Sequence, residues 1–396
     1  MSNCIVAQSG GPTSVINSSV VGIIQANKDL KIFDNIYGGI NGIEGILENQ
    51  IISLSEYDPK DIMDFKYTPS SGLGSCRYKM KDISESTEEY DKLTKILNEL
   101  NITTFFYIGG NDSMDTTAKL GKYSKDNNLG INFIGIPKTI DNDLICTDHT
   151  PGFGSAAKFI STSVLETYLD SSVYKNNGIF ILETMGRDTG WLAASACAAR
   201  YFGNAVADFI YLPEKPFNVE KFLSDVKTTF DKKNQVYIVV SEGLKDMNNN
   251  FISTTECSTN DNFSHHQLGG VGNVLKEHIL NAGITSRVKV LELGVLQRCA
   301  MHCASTTDVE EAFRAGYEAL KYSSDGNNGC MVAITRTTNF PYTVTYSLAE
   351  AKNVANNVKY FPSEWINEEG NHVTKEAYQY IKPLIDGTPK YKIFTK

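Results

Sequence analysis

Residues 3–24 read N-C-I-V-A-Q-S-G-G-P-T-S-V-I-N-S-S-V-V-G-I-I, and their order decides the fold class. Asn3 to Gln8 is a short apolar and β-branched run of strand length. Ser9-Gly10-Gly11-Pro12-Thr13-Ser14 is turn chemistry, after which Ile16, Val20, Ile23 and Ile24 recur at helical spacing. The grammar is strand, glycine turn, helix, and it returns twice. Thr104 to Ile108 ends at Gly109-Gly110-Asn111-Asp112-Ser113, and Phe133 to Ile136 ends at Pro137-Lys138-Thr139-Ile140-Asp141-Asn142-Asp143. Strands that alternate with helices build a parallel sheet covered on both faces, so an α/β fold is expected.

A second series follows residue 150. Ile179 to Leu182 precedes Glu183-Thr184-Met185-Gly186-Arg187, and Val236 to Val240 precedes Ser241-Glu242-Gly243. A chain of 396 residues exceeds what one core usually organises, so two α/β domains with a cleft between them are expected. Ligands of open parallel sheets bind at the carboxyl ends of strands, which makes these loops the expected site walls. Asp308 to Tyr322 has the pattern of an amphipathic helix, and Lys245 to Ser264, rich in Asn, Ser and Thr, reads as loop.

A formal net charge of −9 argues against nucleic acid or an anionic membrane as the main partner, since both demand a broad basic surface. Apolar runs such as Val236 to Val240 are far too short to span a bilayer. The start, Met1-Ser2-Asn3-Cys4-Ile5-Val6-Ala7, carries neither a basic leader nor a long apolar stretch, so a cytoplasmic location is expected. The eight cysteines include no Cys-x-x-Cys pair and read as reduced thiols. Cys299, His302 and Cys303 lie close together in sequence, but a helix turn packed on the core accounts for them more simply than a metal does.

Three constellations have the makings of chemistry. The Gly10-Gly11 turn offers bare backbone N–H groups ahead of a helix, a ready anion cradle; glycines also follow strands for steric reasons, and the two readings stand level. P-K-T-I-D-N-D puts Asp141 and Asp143 in one loop with an amine and a hydroxyl. One carboxylate can accept a proton from a hydroxyl nucleophile while the other holds a divalent cation, whereas an Asx-turn with a helix cap is the plainer account. Arg77, Arg187, Lys289 and Arg298 each flank a turn after an expected strand, and an arginine fork matches phosphate oxygens. Their function depends on convergence. Glu242 suits either a loop cap or a sugar hydroxyl.

G-G-P-T-S, G-G-N-D-S, P-K-T-I-D-N-D, E-T-M-G-R, S-E-G and L-G-V-L-Q-R, in this order across residues 3 to 335, resemble the phosphofructokinase family. The resemblance implies two doubly wound three-layer α/β/α domains with the active site in the cleft between them. The larger, donor-binding domain would comprise residues 1–152 and 297–348, and the smaller, sugar-phosphate-binding domain 153–296 and 349–396. By matching of motifs, Asp141 is the base that deprotonates the 1-hydroxyl of fructose 6-phosphate, with Lys138, Asp112 and Arg187 completing the catalytic set. Gly11, Arg77 and Lys138 would bind the donor phosphates. Thr139, Ile140, Asp141, Met185, Gly186, Arg187, Glu242, Lys289 and Arg298 would bind the sugar phosphate, and Asn111 and Asp143 would serve magnesium. A homodimer or homotetramer is implied as well.

Asp112 and Lys138 stand where ATP-using members carry glycines that leave room for the nucleotide α-phosphate. Both are filled here, and the pair resembles the pyrophosphate-dependent branch, as does M-G-R-D-T-G-W. The expected donor is therefore pyrophosphate, with an ATP-dependent kinase and a silent sugar-phosphate sensor as the alternatives. Asn111 replaces the family's usual metal-reaching aspartate, Val295 a histidine or tyrosine, and Lys289 and Gly178 two arginines that in tetrameric relatives come from a neighbouring subunit.

Overall fold

The computed structural model describes residues 2–175, 177–253 and 268–392. Among them the strands are, in chain order, β1 (Asn3–Gln8), β2 (Ile36–Gly39), β3 (Ile51–Ser53), β4 (Ile102–Gly109), β5 (Asn132–Pro137), β6 (Ile179–Thr184), β7 (Arg200–Tyr201), β8 (Asn204–Ala205), β9 (Phe209–Tyr211), β10 (Val236–Ser241), β11 (Val288–Glu292), β12 (Cys330–Asn339) and β13 (Tyr342–Glu350). Contacts divide the chain into two units. The first holds residues up to Ser155 and Arg298–Lys359; the second holds Ala156–Gln297 and the chain from Tyr360 onward. The final crossing thus falls after Lys359, beyond the expected 348. The reason is that β13 continues to Glu350, and Ala351 and Val354 behind it pack with Met114, Leu144 and Met331.

In the first unit the sheet order is β13-β12-β5-β4-β1-β2-β3. β1, β2, β4, β5 and β12 run parallel, with β3 and β13 as antiparallel edges. Alternation along the strands feeds two cores. Cys4, Val6, Phe106, Ile108, Ile134 and Ile136 join Ile16, Val20, Ile23 and Leu320 on one face. Ile5, Ala7, Phe105, Tyr107 and Phe133 join Tyr90, Leu93 and Leu97 on the other. A sheet buried on both faces requires strands apolar at successive positions, which is why these runs read as continuous. Helices Ile16–Leu30 and Thr306–Ser323 cover the first face. They cross in backbone contact: a Cβ on Gly22 would lie 1.9 Å from the Phe313 carbonyl oxygen, and one on Gly316 1.9 Å from that of Ser19.

The second unit has a four-stranded parallel sheet, β11-β6-β10-β9, with β7 and β8 forming a separate antiparallel ribbon. One face buries Ile181, Ile238 and Val240 against Phe222, Val226, Leu275 and Ile279, from helices Val219–Lys233 and Val271–Asn281. On the other, Phe180 stacks on Tyr237, which meets Tyr168 edge-on and shares a 2.6 Å hydrogen bond with Thr167. Lys245 to Ser253 is turn and bend with one isolated bridge, Lys245 to Phe251, and the rest of the expected loop, 254–264, lies outside the described residues. No described helix is long and apolar enough to cross a membrane.

Candidate functional site

The connections of β1 run to β2 on one side while β4 lies on the other, so the carboxyl ends of β1, β4 and β5 open side by side. The glycine turn leaves β1 there, with Gly10 at φ 76°, a conformation that suits glycine. Gly10 donates its N–H to the Cys76 carbonyl at 2.9 Å, and the Ser75 hydroxyl donates to the Gly10 carbonyl at 2.7 Å, which straps the segment bearing Arg77 to the turn. From β5, the Lys138 N–H donates to the Gly109 carbonyl at 3.0 Å, and its ammonium donates to the Gly11 carbonyl at 2.7 Å. Lys138 is only 3% exposed. Burial pulls its ammonium down to about 8, opposed by Asp141 and Asp143 and assisted by Arg298 and Arg77. The helix Asn111–Asp126 begins at the end of β4 with Asp112 in its first turn.

The loop after Lys138 is folded back on itself. The Asp141 N–H donates to Thr139 Oγ1 at 3.1 Å, the Thr139 N–H to the Pro151 carbonyl at 3.2 Å, and the Thr150 hydroxyl to the Thr139 carbonyl at 2.8 Å. Buried Asn142 accepts from the Thr150 N–H at 3.2 Å and from Lys359 Nζ at 3.1 Å. The Lys359 N–H donates to the Asp143 carbonyl at 2.8 Å. Burial lowers the Lys359 ammonium to about 8, against the pull of Asp148 and Asp143. The Asp143 carboxyl is raised by burial, and its Oδ1 has no hydrogen-bond partner among the described residues. Asp308 caps the start of helix Phe153–Ser171, accepting from the N–H groups of Gly152 and Ser155, each at 2.8 Å.

In the second unit the carboxyl ends of β6 and β10 carry two interlocked loops. The Gly186 N–H donates to Glu242 Oε1 at 3.2 Å, the Ser241 hydroxyl donates to the Gly186 carbonyl at 2.5 Å, and the Met185 N–H donates to Gln297 Oε1 at 3.1 Å. Two glycines are required here. Gly186 has φ 130°, and a Cβ on Gly243 would lie 2.0 Å from the Arg187 carbonyl oxygen. Burial raises the Glu242 carboxyl, while its bond from Gly186 and the Arg187 charge hold it down. Glu183 caps helix Val271–Asn281 through the N–H groups of Gly270 and Gly272, at 2.9 and 2.7 Å, and burial lifts its carboxyl to about 7.

A family profile described as Phosphofructokinase matches residues 3–323. The chain belongs to the phosphofructokinase family. Among relatives of this phosphofructokinase, the pyrophosphate–fructose 6-phosphate 1-phosphotransferase of Halomonas elongata is 38% identical over 97% of this chain and 92% of its own. The sulfofructose kinase of Alkalicoccus urumqiensis is 32% identical over 97% of this chain and 96% of its own. The crystal structure of a pyrophosphate-dependent phosphofructokinase from Nitrosospira multiformis superposes with a TM-score of 0.88 at 36% identity, covering 99% of this chain and 94% of that one.

Of the residues singled out in this phosphofructokinase, Gly11, Arg77, Asp112, Lys138, Thr139, Ile140, Asp141 and Asp143 gather at one end of the first unit's sheet. Arg298 belongs with them, its Nη1 3.6 Å from the position a Cβ on Gly11 would take. Met185, Gly186, Arg187 and Glu242 gather in the second unit. Lys289 does not: it pairs with Phe180 near the amino end of β6, and its ammonium lies 3.6 Å from Asp170. Asn111 is engaged on both sides of its amide, donating to the Asn357 carbonyl at 2.5 Å and accepting from the Asn356 N–H at 2.6 Å. Cys299 and Cys303 are half-buried in short helical turns, and no group of three or more His, Cys, Asp or Glu side chains able to hold a metal occurs among the described residues. Lys359 escaped the sequence reading, because it sits in no turn with other chemical groups and no spacing marks it; Glu183 stands in E-T-M-G-R, where the sequence assigns it no capping role.

Proposed function

We propose that this phosphofructokinase transfers a phosphoryl group from pyrophosphate to the 1-hydroxyl of fructose 6-phosphate, giving fructose 1,6-bisphosphate and phosphate. The observation that carries the donor choice is Lys138, whose buried ammonium sits on the Gly11 carbonyl at 2.7 Å. With Asp112 in the first turn of the neighbouring helix, the cradle is filled where a nucleotide would need space for a further phosphate. A compact diphosphate gains from the same ammonium, which offsets charge on the leaving phosphate. The names of the relatives at 36–38% identity agree with this reading.

Asp141 accepts the proton of the 1-hydroxyl as that oxygen attacks the donor phosphorus and the bridging P–O bond breaks, with Arg77 and Arg298 steadying the phosphates. Arg187, with the Met185-Gly186 backbone and Glu242, recognises the sugar phosphate. Magnesium, when bound, supplies positive charge that neutralises phosphate oxygens. The residues fit a loosely held, hydrated ion: Asp143 has a carboxylate oxygen with no hydrogen-bond partner among the described residues, and Asp141 lies in the same loop. Asn111, with its amide committed to backbone, would act only through water. Lys289 would reach a sugar phosphate only from a second copy of the chain, which fits a homodimer or homotetramer. A cytoplasmic location agrees with cysteines that form no disulfide among the described residues.

The test is a donor comparison on the purified full chain with magnesium and fructose 6-phosphate. Turnover with pyrophosphate is expected to exceed that with ATP by about 100-fold or more, a discrimination of the size that an occupied pocket imposes. Equal rates would overturn the donor assignment, and no turnover with either would overturn the activity. A sulfonated hexulose in place of the sugar phosphate is the control acceptor suggested by the sulfofructose kinase relative.

A further inference from the structure

The loop that begins at Lys138 ends in Asp148-His149, and both residues enter a buried cluster of charges contributed by other elements. His149 is 1% exposed in its side chain. Its Nδ1 is 2.8 Å from Asp148 Oδ2, and its Nε2 is 2.5 Å from Glu311 Oε2, on helix Thr306–Ser323. The other Glu311 oxygen accepts from the Tyr342 hydroxyl of β13 at 2.6 Å. Asp148 Oδ2 also accepts from Arg336 Nε of β12 at 3.1 Å, and the two charges form an ion pair. A neutral imidazole has one N–H and one lone pair, so in this position its lone pair would face a carboxylate. Both nitrogens therefore carry protons, and the ring is an imidazolium held between two anions.

The cluster is joined to the reactive part of the loop by short steps. The Asp148 N–H donates to the Ile334 carbonyl at 2.8 Å, and Thr147 Oγ1 accepts from the Ile334 N–H at 3.0 Å, so the loop end is sewn onto β12. Thr150, next to His149, bonds both Asn142 and Thr139, the residues on either side of Ile140 and Asp141. Thr139 Oγ1 in turn receives the Asp141 N–H. We infer that His149 is a positioning residue, its doubly protonated ring clamping the loop end between Asp148 and Glu311 and thereby fixing where the Asp141 carboxylate points. The inference rests on Asp141 acting as the base.

The groups at the His149 ring are Asp148 on its own loop, Glu311 on helix Thr306–Ser323 and the Tyr342 hydroxyl of β13, 3.5 Å from Nε2; behind them, Arg336 of β12 and Lys359 act on Asp148, and Asp308 feels the charge of Glu311. Burial opposes its charge, yet the carboxylates prevail and hold the imidazolium up to about 9. Because the folded value exceeds the ordinary 6.5, the clamp contributes stability in full below that pH and loses it as pH rises through about 9.

The experiment compares wild type, His149→Gln, Glu311→Gln, the double variant and Tyr342→Phe in the pyrophosphate assay, with hydrogen exchange of residues 139–150 measured in parallel. Wild-type turnover tests the activity itself; the variants are read relative to it. Both single glutamine variants are expected to lose about tenfold or more in kcat with both KM values within about threefold, and the double variant to be no slower than the worse single one, as for residues acting as a unit. Tyr342→Phe, which keeps the ring and removes only the hydroxyl on Glu311, is expected to lose about threefold and to fold whether or not the others do. Exchange in 139–150 should quicken in each. A kcat within about twofold of wild type in a folded glutamine variant, a loss confined to KM, or unchanged kcat and exchange in Tyr342→Phe would overturn the inference.

Discussion

Replacing Lys138 by methionine should make the protein more stable near neutral pH while removing its activity. The ammonium is buried and sits at about 8 where an exposed lysine sits at 10.5. That gap of about 2.5, at 1.36 kcal/mol each, means the folded state carries a burden of about 3 kcal/mol at pH 7 for keeping this proton. The unfolded chain binds the proton more tightly, so the burden is complete below pH 8 and fades as pH climbs toward 10.5. Methionine fills similar space without the charge, but it leaves the Gly11 carbonyl without its donor, a loss of about 1–2 kcal/mol. The net expectation is a gain of about 1–2 kcal/mol at pH 7 that vanishes, then reverses, by about pH 10. Urea unfolding of wild type and variant across that pH series reads it directly. Catalysis should move the other way, since an ammonium about 3 Å from a phosphate oxygen in an effective dielectric of about 20 is worth about 5 kcal/mol, or a factor of about 1000 or more in kcat. A variant less stable than wild type at pH 7, a stability difference that ignores pH, or retained turnover would each refute the reasoning.

Asp141→Ser should lower kcat by about 1000-fold with KM for the sugar phosphate within about threefold, measured by steady-state kinetics, because the carboxylate acts on the proton in flight. Asp112→Gly combined with Lys138→Gly should weaken pyrophosphate use and admit ATP, and titration calorimetry showing no ATP binding would mean that filled space is not what excludes the nucleotide. Asp308→Ala should destabilise the first unit by about 2–4 kcal/mol, seen as a lower urea midpoint, because the N–H groups of Gly152 and Ser155 lose their acceptor.

The strands that begin the two units were legible because each is buried on both faces and reads as an unbroken apolar run; β1 runs over the residues that its pattern marks. The turns after β1, β4 and β5 were legible because glycine, proline and paired aspartates have few other uses at a strand end. What holds those turns was not. Lys359 reaches Asn142 across 217 residues of sequence, and Glu311 reaches His149 across 162, and neither carries a local pattern because pairing across a fold has no period. Lys289 is the converse case: a basic residue near the right motif lies toward the amino end of its strand, and a sequence motif does not say which end a residue occupies. Asn111 came to the metal set by motif matching alone, and motif matching does not show that the backbone of Asn356 and Asn357 engages both ends of its amide.

The contact at Gly22 and Gly316 brings main chain against main chain, with nothing soft in between. A helix pair cushioned by leucines can slide by swapping rotamers; this one has no such slack. The helix Ile16–Leu30 starts just past the glycine turn, and its partner starts with Asp308 and Glu311, which brace the Asp141 loop. The proposed donor cradle and the proposed base are therefore mounted on a single stiff yoke. Evolution can retune the side chains at its tips, but the spacing between them is fixed by two missing methyl groups about 300 residues apart in the chain.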